Sequence, residues 1–581
     1  MKKIILPLAL VCLTSIAHAQ NTIRPFTANN VDMNIHSDGS IEELNINWDT
    51  RTSFMWVHQV WASGIDPVTQ DLHLSAVQYR QAGTDYNRGP VSSDPNATNF
   101  YNKVWVMSKA MVDSFRQGLY TSIPQEIIDW PGNGRAQFGE AEKLAPYVDV
   151  NGDGVYDPQD GDYPCIKGDK AAFFMFNDKK TNRKLNGKAL EIEFHGMLYS
   201  FEDEAQAEDC FFISYNVYNR SQTDYDDFRL AVFSDFDIGN PIDDLVGTDI
   251  ENAMAYMYNA EPIDDGPIGF GAYPPAAGMM VLKGPPANPF DGIDNSMDGC
   301  IDGIRDASGN CIAEDPAEGI VEDWRLSSVI QFAGQFNNSN VTLSTTEAED
   351  FNNFMHGKYR NGNPISFQSA GGFLSSNNGN GFLVNPSAGT LMPVVFPGNT
   401  YDIHGTSIHI DTAINWFQSP VNLADHRTLT GLGNSTFASE ASFQFEIAYL
   451  IARDTVNNDR SISALQSKAA AVRSFHNGYQ NECVTTPNFS VRKQAVAKDG
   501  LKMYPNPAHT SAVIEVKAEK YGSMQVRVFD MKGALVQDGS HTITPGTQEV
   551  ELHVGSLKNG IYTVQVLVDG KMYNQKLSVQ R

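Results

Sequence analysis

The acidic segment DVNGDGVYDPQDGD spaces its oxygen-bearing side chains as calcium-binding loops do. Calcium takes about six to eight hard oxygen ligands, which offset the repulsion among crowded carboxylates. Numbering Asp149 as position 1, the loop has ligand side chains at positions 1, 3, 5, 9 and 12, which are Asp149, Asn151, Asp153, Asp157 and Asp160. Position 7 is Val155, which offers its backbone carbonyl, and position 6 is the turn glycine, Gly154. Pro158 argues against a flanking helix. We therefore predict a lone EF-hand-like loop over residues 146–165; the alternative is a solvated acidic turn.

A second acidic segment, DGIDNSMDGCIDG, keeps part of the same spacing. Positions 1, 5, 7 and 9 are filled by Asp294, Asp298, the carbonyl of Cys300 and Asp302, whereas Ser296 only weakly fills position 3. Residues 286–325 contain ten acidic residues and two arginines, so the segment would repel itself without a cation. We predict an acidic calcium-binding insertion over residues 286–325.

A third acidic segment, DFDIGNPIDDLVGTD, follows a strand-like run and fits no standard loop. Asp235 and Asp237 are two residues apart, so in an extended chain both side chains point to the same side at the strand end. Three interpretations stay open: a calcium site, a pair of carboxylates for general acid and base catalysis, and a polar turn.

Five of the six cysteines lie after residue 19, and none lies in a CxxC pair, which disfavours zinc or thioredoxin-like chemistry. Cys300 and Cys311 bracket a short loop containing Gly and Asn, and we predict that they pair as a disulfide, as an oxidising compartment would allow. A bond between Cys165 and Cys210 is a weaker alternative. Cys483 is then the unpaired thiol.

The elements that must position these side chains are mostly β-strands. Short runs rich in β-branched and aromatic residues, together with 47 glycines, indicate a mainly β chain of several domains. Residues 189–201, 209–221 and 227–239 alternate as long antiparallel strands that face a core on one side. Helices are expected at residues 104–117, 346–354 and 462–475. We predict a mainly β, multi-domain fold with an antiparallel β-sandwich that carries inserted calcium-binding loops.

The chain begins with the features of an export signal. Lys2 and Lys3 precede an apolar run, and Ala17-His18-Ala19 forms a cleavage site, so residues 1–19 are predicted to be a signal peptide. No later run is long enough for a transmembrane helix. The net charge of −27 becomes −29 without Lys2 and Lys3, which disfavours nucleic-acid binding and favours divalent cations.

The C-terminal residues 501–581 follow a polar linker at residues 484–500 and alternate as the strands of a small immunoglobulin-like sandwich. The motifs Tyr504-Pro505-Asn506-Pro507, the turn from Asp530 to Val536, and Gly560-Ile561-Tyr562 resemble the C-terminal (type A) sorting domain of the Bacteroidetes type IX secretion system. The resemblance implies a secreted or outer-membrane surface location. It also implies contact with the type IX translocon and its sortase-like processing machinery, followed by release or attachment to surface lipopolysaccharide.

The cargo blocks at residues 61–91, 144–169 and 234–249 resemble a family of large exported Bacteroidetes proteins, a resemblance that brings no known reaction. We divide the cargo into residues 20–145, the loop 146–165, a sandwich core 166–285, the insertion 286–325 and a β-rich segment 326–483. No HExxH, GxSxG or P-loop motif is present. Aromatic residues at 47–61 and 415–420 suit packing or a sugar-binding face. We expect a calcium-stabilised binding, adhesion or structural protein; the alternative is a secreted hydrolase with a carboxylate-based site.

Overall fold

The computed structural model shows a mainly β protein with two compact units, residues 1–487 and 488–581. The predicted fold class, antiparallel β-sandwich architecture in more than one domain, is confirmed. The structure describes residues 23–290, 292, 294–296, 300–305, 310–316, 320–333, 345–363, 366–367, 382–383, 390–391, 394–395, 425–457, 459–479, 501–518, 522–529, 535–568 and 571–580. The predicted signal peptide (residues 1–19), the predicted linker (residues 484–500), Asp298 and Cys483 lie outside the described residues.

The larger unit contains two long antiparallel sheets. The first has eight strands, and its centre is the 15-residue strand Arg51–Ile65, which pairs with Ile41–Asn47 on one side and Tyr225–Asp235 on the other. In spatial order the sheet comprises Ile23–Ala28, Val31–His36, Ile41–Asn47, Arg51–Ile65, Tyr225–Asp235, His426–Phe437 and Ser328–Ala333, with Leu72–Ser75 paired beside Arg51–Ile65.

The second sheet has nine strands and contains two of the three runs that the alternation of the sequence indicates, residues 189–201 and 209–221. The third run, residues 227–239, overlaps the strand Tyr225–Asp235 of the first sheet. The centre of the second sheet is formed by Ser442–Ala452, Cys210–Asn219 and Ile192–Ser200. In spatial order it comprises Asp244–Asp249, Met254–Asn259, Ala276–Lys283, Ser442–Ala452, Cys210–Asn219, Ile192–Ser200, Lys170–Asn177 and Asn87–Arg88, with Trp105–Ser108 also paired to Lys170–Asn177.

Both faces of the second sheet are buried, which corrects the expectation of strands that face a core on one side only. Alternate residues such as Phe174 and Phe176 enter the core shared with the first sheet. Their neighbours, such as Phe173 and Tyr199, enter a second core on the outer face. Strands covered on both faces need apolar residues at nearly every position.

The second core is covered by helices and irregular chain. The helix Ile462–Gly478 buries Leu465, Ala469 and Val472 against the sheet. The helix expected at residues 104–117 is only partly correct, since Trp105–Ser108 is a strand and the helix is Lys109–Arg116, capped where the Ser108 hydroxyl accepts from the Met111 N–H. The other helical elements are Ala97–Phe100, Gln125–Ile128 and Ala348–Met355, with 3₁₀ turns at Arg80–Ala82, Ala136–Phe138 and Ala205–Ala207.

The cargo segments divided in the sequence are interleaved in the structure. The first sheet draws strands from residues 20–145, 166–285 and 326–483, and the second draws from the same three ranges. Small two- and three-stranded pieces lie outside these sheets: Tyr147–Val148 with Tyr163–Pro164, Ile263–Asp264 with Gly271–Ala272, Gly303–Arg305 with Cys311–Ala313, and Ser366–Phe367 between Phe382–Leu383 and Thr390–Leu391.

The C-terminal unit is a seven-stranded sandwich with its own core. Ile514 and Val564 are among its fully buried residues. One sheet comprises Leu501–Tyr504, Ser511–Ala518 and Gly546–His553; the other comprises Leu535–Ile543, Gly522–Phe529, Gly560–Val568 and Lys571–Val579. Two facing antiparallel sheets of this size match the immunoglobulin-like sandwich expected from the sequence.

Candidate metal centre and acidic loops

Three carboxylates converge where two paired strands of the first sheet meet. Asp235 ends the strand Tyr225–Asp235, Asp237 lies two residues beyond it, and Asp425 immediately precedes His426–Phe437. One carboxylate oxygen from each lies within 4.8 Å of the others. In the part of the chain that the structure describes, this is the only such group of three or more His, Cys, Asp or Glu side chains.

The antiparallel pairing explains the convergence. Ser234 pairs with Thr428, so the end of one strand lies beside the start of the other. The sequence places Asp235 and Asp237 on one side of a strand end, and the structure brings them together. Asp425 was missed, because no local spacing connects it to the first two residues. Knowledge of the strand pairing would have been needed to find it.

Arg427 and Tyr79 hold this cluster from one side. The Tyr79 hydroxyl donates to Asp235 Oδ2 at 2.6 Å and accepts from Arg427 Nε at 2.7 Å. The Arg427 guanidinium also lies 3.3 Å from Asp235 Oδ1 and 2.6 Å from Asp425 Oδ2. When all three aspartates are ionised, one guanidinium therefore faces three carboxylates, and two negative charges are left over.

Burial makes this excess charge costly. Asp235 is only 3% exposed, and burial raises its pKa to about 6 against the attraction of Arg427. Burial and the neighbouring charges of Asp235 and Asp425 raise the pKa of Asp237 to about 8. Asp425 Oδ1 is buried and receives no hydrogen bond from a described residue. Three hard oxygens with unmet charge are suited to a divalent cation.

Two other acidic residues of the DFDIGNPIDDLVGTD segment, Asp244 and Asp249, accept hydrogen bonds from backbone N–H groups. Asp244 is fully buried, accepts from the Ile238 N–H at 2.9 Å, and has a pKa raised well above its usual range by burial. Asp249 accepts from the backbone and side-chain nitrogens of Asn252, at 3.1 and 2.7 Å, and so closes the turn before Met254–Asn259. These two carboxylates stabilise backbone turns.

The loop from Asp149 to Asp160 is organised by hydrogen bonds among its own predicted ligands. Both Asp149 oxygens accept backbone N–H groups, from Gly152 at 2.7 Å and Gly154 at 2.8 Å. Asn151 Oδ1 accepts from the Asp153 N–H, and Asp153 Oδ1 accepts from the Val155 N–H. Asp157 Oδ1 accepts from the Gln159 N–H, and Asp160 Oδ2 lies 3.4 Å from Asn151 Nδ2.

The flanks of this loop are short strands. Tyr147–Val148 pairs with Tyr163–Pro164, which brings the two ends of the loop together without a helix on either side. Sequence reasoning missed Asp162, which is fully buried and accepts from the Val150 N–H at 2.8 Å and the Asp157 N–H at 2.9 Å. Its position after the ligand ladder gave no signal. Asp162 ties the two halves of the loop together.

The acidic insertion has a disulfide and two buried glutamates. Cys300 and Cys311 are joined, the pairing that the sequence favours, while Cys165 and Cys210 are buried thiols that are not bonded to each other. Asp294 is 8% exposed, and Asp302 Oδ1 accepts from the Gly292 N–H. Glu314 and Glu322, which were not among the predicted ligands, are buried beside this loop.

Glu322 is the more perturbed of the two glutamates. Its Oε2 lies 3.3 Å from the Asn295 backbone nitrogen, its Oε1 receives no hydrogen bond from a described residue, and burial raises its pKa to about 7. Asp294 adds repulsion. The insertion therefore gathers negative charge as the sequence indicates, and Glu322 brings a carboxylate from outside the predicted loop.

Comparison with known proteins identifies the C-terminal unit. Residues 502–580 match the family described as the secretion system C-terminal sorting domain. No curated protein matches the chain. Solved structures with similarity include a polysaccharide lyase, at 9% identity and a TM-score of 0.21; the alignment covers 96% of this chain and 47% of the lyase.

Two further solved structures show similarity. Dimeric latent PorU from Porphyromonas gingivalis is 10% identical at a TM-score of 0.13, with 95% of this chain and 32% of that chain covered. A biofilm-associated protein BSP domain is 9% identical at a TM-score of 0.14, with 96% and 80% covered. This chain thus spans less than half of the lyase and of PorU.

None of the helices among the described residues is long and apolar enough to cross a membrane. The family match confirms the sorting role predicted for residues 501–581 and implies that they interact with the type IX machinery. The chain carries a type IX secretion sorting signal at its C-terminal end, and its destination is the cell surface or the extracellular space.

Proposed function

We propose that the cargo unit acts outside the cell as a calcium-stabilised β-sandwich protein in binding, adhesion or extracellular structure. The observation that carries the calcium part is the convergence of Asp235, Asp237 and Asp425 within 4.8 Å at a buried strand end. A divalent cation there would offset the two charges that Arg427 leaves uncompensated. The ion would then join the ends of the strands Tyr225–Asp235 and His426–Phe437.

The two acidic loops are proposed as further calcium sites. In the first, residues 149–160 offer oxygens in the predicted ladder on a loop already closed by Asp162. In the second, Asp302 lies within the loop that the Cys300–Cys311 disulfide closes, Asp294 lies just before that loop, and Glu322 supplies an additional carboxylate. Extracellular calcium is abundant enough to fill sites of modest affinity.

A secreted hydrolase is the second candidate. The specific observation in its favour is the pair of unequal pKa values, about 6 for Asp235 and about 8 for Asp237, as acid and base catalysis requires. Access argues against it, because Asp235 is only 3% exposed. A metal ion is small enough to reach the three carboxylate oxygens through a narrow opening, whereas a polymeric substrate would have to contact both carboxyl groups directly.

After export, we propose that the sorting domain is removed by the sortase-like processing machinery within residues 484–500, and that the cargo is released or attached to surface lipopolysaccharide. The separate core of residues 501–581 supports this, because cleavage between the units leaves each hydrophobic core complete. Mass spectrometry of the cargo recovered from medium and outer membrane would identify the new C-terminus and any attached lipid.

The calcium proposal is tested by melting the chain from Gln20 onwards in excess calcium and in chelator. Calcium at about 100 times its dissociation constant should add about 2.7 kcal/mol to the free energy of unfolding, and the melting temperature should rise. Asp237→Asn should reduce that rise, whereas Asp203→Asn, an exposed acid elsewhere, should not. An identical melting temperature with and without calcium would falsify the proposal.

A further inference from the structure

A cavity of about 440 Å³ on the cargo unit is lined by residues that do not belong to the proposed calcium sites. Its polar lining consists of Trp48, Asp209, Arg453 and Lys468, and its floor is formed by small aliphatic residues from the strand Ser442–Ala452 and the helix Ile462–Gly478. We call it the Trp48 cleft. It brings two cationic side chains together in a chain whose net charge is −27.

Trp48 is held in position by Asp209. The indole Nε1 donates to Asp209 Oδ2 at 2.8 Å, and the ring packs against Phe270 with centroids 6.4 Å apart. Asn30 Nδ2 donates to Asp209 Oδ1 at 2.7 Å. Each Asp209 oxygen therefore has one donor and retains a second lone-pair direction for a ligand hydroxyl. The half-buried indole offers a rigid apolar face beside that acceptor.

Arg453 is anchored by one edge of its guanidinium. Nε donates to the Tyr273 carbonyl and Nη2 to the Ala272 carbonyl, both at 2.7 Å. Nη1 lies 3.7 Å from Asp49, whose side chain is 90% exposed. An exposed ion pair at that distance contributes little, so a ligand carboxylate can replace Asp49 at low cost.

Lys468 supplies the second positive charge from the helix. Its Nζ donates to the Ile451 carbonyl at 2.9 Å, which leaves further ammonium hydrogens for a ligand. Burial lowers the pKa of Lys468, so the ammonium is poorly solvated where it stands. A bound anion would restore part of the lost solvation.

We propose that the Trp48 cleft binds a carboxylate-bearing sugar unit. The carboxylate would pair with Arg453 and Lys468, a hydroxyl would donate to Asp209, and the C–H face of the ring would lie on the indole of Trp48. A phosphate or sulfate would use the cations but not the Asp209 acceptor. The inference rests on the binding role proposed above and names the class of ligand.

The test is calorimetric titration of the full mature chain with oligosaccharides of glucuronate, galacturonate and mannuronate. The matched ligand is the same oligosaccharide with its carboxylates reduced to alcohols. At least one acidic oligosaccharide should bind, and its reduced form should bind at least tenfold more weakly. Equal affinity for both forms, or no binding of any acidic form by the folded chain, overturns the inference.

Variants locate the site. Arg453→Gln and Lys468→Gln should each weaken binding of the acidic oligosaccharide about tenfold, and Trp48→Phe should weaken it less because an aromatic face remains. Lys109→Gln removes an exposed charge on another helix and should leave affinity unchanged. Unchanged affinity in both cleft variants places the ligand elsewhere and overturns the assignment. Melting in chelator tests the calcium sites separately, so failure of one proposal is distinguishable from failure of the other.

Discussion

Asp235, Asp237 and Asp425 show how the fold can change the charge balance around single residues. Each would be an ordinary acid in the unfolded chain. In the folded protein they share one arginine, and burial raises the pKa of Asp235 and of Asp237 and so favours the protonated forms of these two. Without a cation, part of the folding free energy is used to neutralise them, so pH and calcium should act on the same residues.

The calcium-free protein should lose stability as pH rises from about 4 to 8. The folded pKa values of about 6 and 8 lie above the usual 3.8 of an Asp, so the folded state binds protons that the unfolded state has released. This contribution is complete below pH 3.8 and is lost as pH rises through the folded values. Melting temperatures in chelator at pH 5, 6, 7 and 8 should therefore decrease.

Asp237→Asn separates this cluster from other carboxyls with raised pKa values, such as Glu322 and Asp264. The amide stays neutral, so the variant should lose less stability between pH 5 and 8 than the unmodified chain does. Asp203→Asn should keep the original slope. Equal slopes for Asp237→Asn and the unmodified chain would contradict the assignment.

Asp162 is predicted to matter more for the first acidic loop than any of its exposed acids when calcium is absent. Asp162→Ala removes the acceptor of the Val150 and Asp157 N–H groups. Leaving a fully buried donor unpaired costs about 1–3 kcal/mol, and the cost is lower for these two part-buried N–H groups, which water can reach. Protease cleavage within residues 149–160 should accelerate by tenfold or more, as seen in a time course on gels.

The control for that variant is Asp160→Ala, which changes an exposed carboxylate at the end of the same loop. In chelator it should change stability by no more than about 0.5 kcal/mol. If the loop binds calcium as proposed, added calcium should slow cleavage of the unmodified loop, and Asp160→Ala should reduce that effect. Equal cleavage rates for Asp162→Ala and Asp160→Ala in chelator would remove the special role of Asp162.

At the scale of elements, alternation in the sequence predicted the strands well and their surroundings poorly. Residues 189–201 and 209–221 contain Ile192–Ser200 and Cys210–Asn219, because β-branched and aromatic runs favour extended chain. Their second buried face depends on a helix and loops supplied by distant parts of the chain. The sequence predicts a helix over the strand Trp105–Ser108, because apolar residues such as Val104 and Val112 recur at helical spacing across the boundary between this strand and the helix Lys109–Arg116.

The residues of the candidate sites could likewise be predicted from the sequence only in part. Local spacing predicted Asp235 with Asp237, the ladder from Asp149 to Asp160, and the pairing of Cys300 with Cys311. It could not predict Asp425, which joins the cluster through strand pairing, or Glu322, which reaches its loop through the tertiary fold. Acidic residues that cluster within one segment can be recognised in the sequence, whereas acidic residues that a sheet brings together can be found only from the topology.

The disulfide should stabilise the insertion locally. Cys300 and Cys311 are 11 residues apart, and closing a loop of that size is worth about 3 kcal/mol in the chain-entropy model. The double variant Cys300→Ser/Cys311→Ser should show faster proteolysis within residues 286–325. Its effect on cleavage in the C-terminal unit should be nil, and uniform acceleration in both units would contradict a local role.

At the scale of the whole molecule, delivery and cargo are separate folding units. The sorting sandwich has its own core, and the cargo has two others. Deleting residues 502–580 should abolish appearance of the cargo on the surface or in the medium, and the truncated chain should accumulate within the cell envelope. Its melting temperature should stay within about 2 °C of the cargo transition in the full chain. Normal export of the truncated chain would contradict the sorting role.

The interleaved sheets also bear on when the cargo can fold. The strands His426–Phe437 and Ser442–Ala452 lie inside the two sheets, yet they come near the end of the cargo. Until they are synthesised, Tyr225–Asp235 and Cys210–Asn219 each lack a neighbour. Such high contact order slows folding, because long loops must close before their contacts are gained. We therefore expect both sheets of the cargo to stay incomplete until its last strands have been made, so the cargo should complete its fold late relative to its own synthesis.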